Sequence, residues 1–220
     1  EINAKCRKVL TYKYILGLER KPFVKLSGLG TRINTPQTRD LISRLNLAAI
    51  TVLNNKNDVL PLHPDLKEAA ILNVGKPEEI EPFDRKMKKD TSFARFQLRK
   101  DLPEAEQQKL RDSLAAYRRV IVTVTEQRLA PYQSFFAKFA PESPVIYVFY
   151  TPAKSMLQIQ RAVSAAEAVV LAHASRDDVQ ERVADLLFGK ATADGRLSAS
   201  IGGLFPTGSG VTITPHTPFH

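Results

Sequence analysis

The sequence predicts an α/β protein, a mostly parallel sheet of five to six strands flanked by helices on both faces, and three observations carry that prediction. Four apolar, β-branched runs of strand length recur along the second two-thirds of the chain: Ala69–Gly75, Arg119–Thr125, Pro144–Tyr150 and Ala166–Ala174. Runs with no polar alternation suit strands covered on both faces, as parallel strands are. Between them lie stretches whose apolar residues recur at helical spacing, and strand–helix alternation of this kind builds a parallel sheet. The third observation is the last unit. After Ala166–Ala174 comes a helix bearing Val179, Val183, Leu186 and Leu187 on one face, then Gly189 to end it, and an Ala193–Gly195 turn into RLSASIGG. Ser175 is its expected N-cap, with Asp177 and Asp178 near the positive end of the helix dipole.

In chain order, Ala4–Leu18 reads as an amphipathic helix, Val9, Leu10, Tyr14 and Ile15 opposing Lys5, Arg7, Lys8 and Lys13, with Gly17 to end it. Glu19–Thr35 has little periodicity and several turn formers, and is expected to be a linker. Pro36–Ala49 is a helix with Thr35 as N-cap and Pro36 at its first position. Ile50–Leu62, ITVLNNKNDVLPL, places two apolar pieces around an Asn/Lys/Asp turn and is expected to be a hairpin. The parallel part opens at Ala69–Gly75. Pro77–Lys89 is a polar helix, Ser92–Leu98 an edge strand, and Pro103–Arg118 a helix with acids early and bases late. Pro131–Phe139 is a short aromatic helix, and Pro152–Val163 another. The expected sheet is five parallel strands beside the hairpin, in the flavodoxin-like manner.

A chain of 220 residues with 43% hydrophobic content can bury one large domain. No apolar run has membrane-spanning length. The single cysteine, Cys6, excludes an internal disulfide. The chain opens at Glu1 without a methionine or signal-like segment, which reads as a piece of something longer. The net charge of +9 invites a nucleic-acid reading, but the basic clusters at Lys5–Lys25 and Arg85–Lys100 carry no nucleic-acid-binding signature. They read as a solvated basic face, and no nucleic-acid partner is expected.

Ligands of open α/β sheets bind beyond the carboxyl ends of the strands. Those ends are Asn73–Lys76, Thr125–Arg128, Tyr150–Ala153 and His173–Arg176. NVGKPEE has one glycine where a dinucleotide fingerprint needs three, and Gly189–Lys190 is followed by alanine, so the phosphate loop is absent too. Ser209, between two glycines, lacks the strand–turn–helix context of a nucleophile elbow. His63, His173, His216 and His220 form no helical pair at metal-ligand spacing. No cofactor and no metal are expected. His173 and Glu126 are the candidates for acid/base work by position, and Asn73, Arg128 and Arg176 for substrate binding. Each also has an ordinary explanation as a loop residue, and chemistry alone identifies no active site. Tyr12, Tyr14, Tyr132, Phe135, Phe136 and Phe139 are expected in the core or at a domain interface.

Two stretches carry a resemblance. A helix ending KYILGL, a linker, then a helix flowing into ITVLNNKNDVLPL resembles the junction after the catalytic barrel in glycoside hydrolase family 3. ADGRLSASI, followed by FPTGSG, resembles that family's Gly-Arg-Leu-Pro-Val-Ser segment, with Ser198 in place of the proline. The resemblance implies that residues 1–18 are the last helix of a (β/α)8 barrel that precedes them, and 19–35 the interdomain linker. Residues 36–203 would then be the C-terminal α/β sandwich, and 204–220 a tail or a linker to a further domain. The family's nucleophilic aspartate lies in the barrel, upstream of Glu1. Its β-glucosidase-like members carry an acid/base glutamate near an Glu-Gly-x-Asp-Arg motif, where this chain reads TEQRLAPYQSFF. That departure points to the β-N-acetylhexosaminidase-like branch, whose acid/base is a barrel-loop histidine. The partners implied are the barrel and a carbohydrate substrate, in a bacterial, periplasmic or secreted parent. Two other readings stay open: a β-glucosidase-like second domain in which Glu126 acts, and a free-standing flavodoxin-like binding module.

Overall fold

The computed structural model describes residues 1–20, 25–63, 68–139 and 145–215, so Pro144, His216 and His220 lie outside the described residues. The chain divides into two compact units, 1–41 and 42–220. In the first, α1 spans Ile2–Ile15 and ends before Gly17, which adopts φ 71°. The two-faced helix is not realised. Lys5, Val9 and Lys13 follow one another at i, i+4 and i+8 and so share a stripe. No residue of α1 is buried; Tyr12 and Tyr14 are exposed rather than in a core. The expected linker contains a short helix of its own, α2 (Leu29–Ile33). Helix α3 (Pro36–Ala48) starts as expected: the Thr38 N–H donates to Thr35 Oγ1 at 3.1 Å.

The second unit holds a six-stranded sheet made of β1 (Thr51–Asn55), β2 (Ala69–Val74), β3 (Ala94–Leu98), β4 (Arg119–Val124), β5 (Val145–Phe149) and β6 (Ala168–Leu171). The order is β1-β6-β5-β4-β2-β3, with β1 antiparallel and all other pairs parallel. The five parallel strands follow the flavodoxin-like order, so the expected fold class is realised. Helices α4 (Glu81–Asp90), α5 (Glu104–Ala115), α6 (Gln133–Lys138), α7 (Gln160–Ala165) and α8 (Asp177–Leu187) cover it. Residue parity decides the faces. Ile71, Ile121, Ile146 and Val170 pack with Phe83 and Met87 of α4 and Val179 and Val183 of α8. Leu72, Val122, Tyr147 and Val169 pack with Leu114 of α5, Phe135 of α6 and Val163 of α7. Each such side chain, fully removed from water, contributes about 1.5–3 kcal/mol, and that sum selects this register.

Three sequence expectations are corrected. Ile50–Leu62 is not a hairpin. After β1 the chain turns through Asn57 and Asp58, both at positive φ, and the Asn55 carboxamide brackets Leu60, accepting its N–H at 2.9 Å and donating to its C=O at 2.8 Å. Leu60 and Leu62 enter the core, and the Leu62 N–H donates to Leu187 O. A hairpin partner has no place, because both edges of β1 are used: β6 lies on one side and the Val211 N–H reaches Val52 O on the other. The same contact corrects the expected start of the tail at 204. Leu197 N–H donates to Ser209 O, Gly208 N–H to Leu197 O and Ile213 N–H to Ala193 O, so the fold continues to Ile213. Third, Ser175 does not cap α8. Arg176 occupies the N-cap position without a side-chain cap bond, and Ser175 Oγ donates to Glu79 O at 3.2 Å. Gly189 ends α8 at φ 66° as expected.

Candidate functional site

The order of the parallel strands reverses between β2 and β4, and the crevice of such a fold opens beyond the carboxyl ends of its strands. A cleft of about 470 Å³ opens there. Its floor comes from Thr125 after β4, Tyr150 after β5 and His173 after β6, and its walls from the turn before α4 (Glu78, Glu79) and the start of α8 (Asp177, Gln180).

The wall is held by one buried side chain. Gln180, 2% exposed, accepts the Phe83 N–H at 3.2 Å and donates to Glu79 O at 2.8 Å and to Ser175 Oγ at 3.0 Å. It supplies a partner for a first-turn N–H of α4 and ties α4 to α8. The floor is close-fitting at Gly75. This residue has φ 143°, and a β-carbon there would run into the Thr125 side chain. The Thr125 and Glu126 N–H groups both reach back to Val74 O, at 3.0 and 3.2 Å.

His173 lies on the cleft at φ 63°, a left-handed conformation uncommon for a non-glycine residue. His173 is exposed at the cleft, and partial desolvation of the imidazolium there lowers its pKa from the ordinary value. Tyr150, 3% exposed, has its hydroxyl pushed well above the ordinary pKa by burial first and by the Asp84 charge second. That hydroxyl is buried, and among the described residues it has no hydrogen-bond partner.

The other sequence candidates do not line the cleft. Asn73 is buried, and its amide donates to Gln97 Oε1 at 2.9 Å and Lys76 O at 3.3 Å while its carbonyl accepts from Thr123 Oγ1 at 3.3 Å. It ties β2 to β3 and β4. Glu126 Oε1 accepts the Arg128 N–H at 3.0 Å, a closure local to its own loop. Arg128 is exposed. The Arg176 guanidinium folds onto Asp178, with Nε–Oδ1 at 3.0 Å, and Asp178 also accepts from Ser43 Oγ of α3. Sequence reasoning missed Glu78, Glu79, Gln127 and Gln180. Only the strand-end rule pointed to their neighbourhood, because long-range packing of α4 against α8 is what brings the wall to the floor.

Among the described residues no lysine or arginine lines the cleft, while the carboxylates of Glu78, Glu79 and Asp177 do. These acids sit beside the N-termini of α4 and α8, where they stabilise the helix dipoles. Such a surface repels phosphates, which removes the support for a flavin-nucleotide-type ligand. No group of three or more potential metal ligands occurs among the described residues. Ser175 is engaged with Glu79 and Gln180, so it is no activated nucleophile.

No family model matches the chain, and no curated protein is similar to it. Solved structures do match in fold. One is a fungal multi-domain family 3 β-N-acetylglucosaminidase, with TM-score 0.59, 16% identity, 88% of this chain and 22% of that chain covered. Another is a β-glucosidase from Listeria innocua, with TM-score 0.56, 17% identity, and coverage of 87% and 31%. A glycoside hydrolase family 3 β-N-acetylglucosaminidase from Paenibacillus matches with TM-score 0.52, 14% identity, and coverage of 88% and 38%. This is the fold of one region of those glycosidases. The chain spans between 22% and 38% of their length.

Proposed function

We propose that this chain is the C-terminal α/β domain of a glycoside hydrolase family 3 exo-acting β-N-acetylhexosaminidase, and that it is not itself catalytic. One observation carries the reading. The two stretches that resemble the family lie more than 130 residues apart, and they meet in the fold. Gly195 of the DGRLSASI stretch fits so closely against Ile50 O and Thr51 Oγ1 that a β-carbon would collide with both. Val211, just past GSG, donates to Val52 O. Motifs that are scattered in sequence and joined in space read as one inherited structural feature. The common fold with family 3 β-N-acetylglucosaminidases and a β-glucosidase alike supports the kinship with that family.

The chemistry then belongs to a (β/α)8 barrel preceding residue 1, which supplies the nucleophilic aspartate and the acid/base. Residues 1–18 are that barrel's last helix, and the barrel covers apolar residues that are exposed in this chain, Ile2, Leu10, Ile15 and Leu16 among them. The parent is bacterial and periplasmic or secreted, and its substrate is a terminal N-acetylhexosamine.

A second reading makes Glu126 the acid/base of a β-glucosidase-like enzyme, favoured by its place on the loop after β4 at the rim of the sheet. Against it stand the missing Glu-Gly-x-Asp-Arg motif and the use of Oε1 within its own loop. Glu126→Gln in the barrel-bearing parent separates the two. Turnover within about twofold of wild type supports a structural loop, and a loss of about a hundredfold or more makes Glu126 catalytic. The kinship itself fails if the sequence upstream of Glu1 encodes no barrel with a strand-end aspartate.

A further inference from the structure

The polar groups of the cleft fall into two kinds, those engaged within the fold and those left over. Gln180 and Ser175 are engaged, with α4 and with each other. Two hydroxyls of the floor are left over. Thr125 and Tyr150 follow Val124 and Phe149, which pair in register, so they stand side by side at the end of the sheet. Tyr150 is 3% exposed. Both hydroxyl oxygens are buried, and neither has a hydrogen-bond partner among the described residues. Folded proteins leave few buried polar groups unmet, and a ligand is one way to meet them.

The walls of the same cleft are acidic. Glu78, Glu79 and Asp177 line it, all three are exposed, and among the described residues none forms an ion pair. The neighbouring bases are held elsewhere: Arg85 by Glu81 and Glu181, Lys86 by Asp185. Arg176 feels the Asp177 charge, but its guanidinium folds onto Asp178. Three carboxylates around a concave floor concentrate cations. A bare metal ion does not fit, because no group of three His, Cys, Asp or Glu side chains able to hold one occurs among the described residues. The cleft, at about 470 Å³, is also many times the size of an ion. An ammonium group has three donors and no acceptor, which matches carboxylate and hydroxyl oxygens alike. The carboxylates come from two separate elements, the turn before α4 and the start of α8, so an extended molecule meets both.

We propose that this cleft binds a small, extended organic cation of the diamine class, whose ammonium groups donate to Glu78, Glu79 and Asp177 and to the hydroxyl oxygens of Tyr150 and Thr125. The proposal uses only groups of this chain and does not rest on the kinship reading.

The probe is 1,4-diaminobutane, titrated into the 220-residue chain while backbone amide chemical shifts are followed. Saturable shifts are expected at Thr125, Ala174 and Gln180, with a Kd of about 1 mM or tighter. Butane-1,4-diol has the same carbon chain without the charge, and should bind at least about tenfold more weakly. N-acetylglucosamine should leave the diamine-bound spectrum unchanged. Tyr150→Phe should weaken diamine binding about fivefold or more while the variant itself becomes more stable, a pairing that a merely structural hydroxyl does not give. Glu79→Gln combined with Asp177→Asn keeps both shapes, removes both charges, and should weaken binding about tenfold or more. Should that double variant lose its fold, Tyr150→Phe decides alone. A well-dispersed spectrum with no saturable shift at those three amides up to about 10 mM diamine overturns the proposal. So does equal affinity for the diol, displacement of the diamine by the sugar, or unchanged affinity in either folded variant.

Discussion

Replacing Gln180 by methionine should loosen the cleft wall by an amount that can be worked out from its three bonds. Methionine fills nearly the same volume, so no cavity opens. Glu79 O retains a bond from Ser175 Oγ at 3.2 Å, and Ser175 reaches other partners from its exposed position. Phe83 is different. Its N–H lies in the first turn of α4 on a fully buried residue, and Gln180 Oε1 is the partner found for it. A buried donor left without a partner costs about 1–3 kcal/mol, so the change should destabilise the chain by about 2 kcal/mol. For a unit of this size that lowers Tm by about 4–8 °C. Urea denaturation followed by circular dichroism gives the free energy, and amide exchange at Phe83 gives the location. A loss below about 0.5 kcal/mol with Phe83 still protected would refute the assignment of Gln180 as the tie between α4 and α8.

Three further changes probe the same region. Tyr150→Phe removes a buried hydroxyl that has no partner among the described residues, and should raise stability by about 1 kcal/mol in urea denaturation; a loss of that size would reveal a partner for the hydroxyl. Gly75→Ala must hold φ 143° and displace Thr125, and should cost about 2 kcal/mol or more, measured in the same way. Burial raises the phenol pKa of both Tyr147 and Tyr150. Below the ordinary tyrosine value of about 10 both states are protonated and this contribution is intact, while at higher pH the unfolded chain ionises first. Stability should therefore fall as pH rises above about 10, and less steeply in the Tyr147→Phe, Tyr150→Phe double variant. An equal slope in the double variant contradicts the burial account.

The reading of the sheet from sequence succeeds where burial on both faces leaves an unbroken apolar run, as in AAILNV, RVIVTV and VIYVF. Such runs have few alternatives. The misreading of Ile50–Leu62 has the opposite cause. Its apolar pieces fit a hairpin locally, but the competing edge partners, β6 and the segment around Val211, lie more than 100 residues away, and no local pattern records them. The cleft was legible only as a place. His173 was found because it ends a strand; the acids on the wall belong to helix starts, which look the same at a site and at an ordinary dipole-stabilised terminus. Asn73 shows the converse error. A polar residue at a strand end looked available for substrate, and the register spends its amide and carbonyl on neighbouring strands.

The central claim is that the chemistry lies outside this chain. Its most direct test is hydrolysis of p-nitrophenyl N-acetyl-β-glucosaminide and p-nitrophenyl β-glucoside by the 220-residue chain and by the barrel-bearing parent, side by side. The account predicts no turnover by the chain alone, and cleavage by the parent with preference for the N-acetyl sugar. Turnover of either substrate by the isolated chain would contradict it, and would return Glu126 and His173 to the centre of the mechanism.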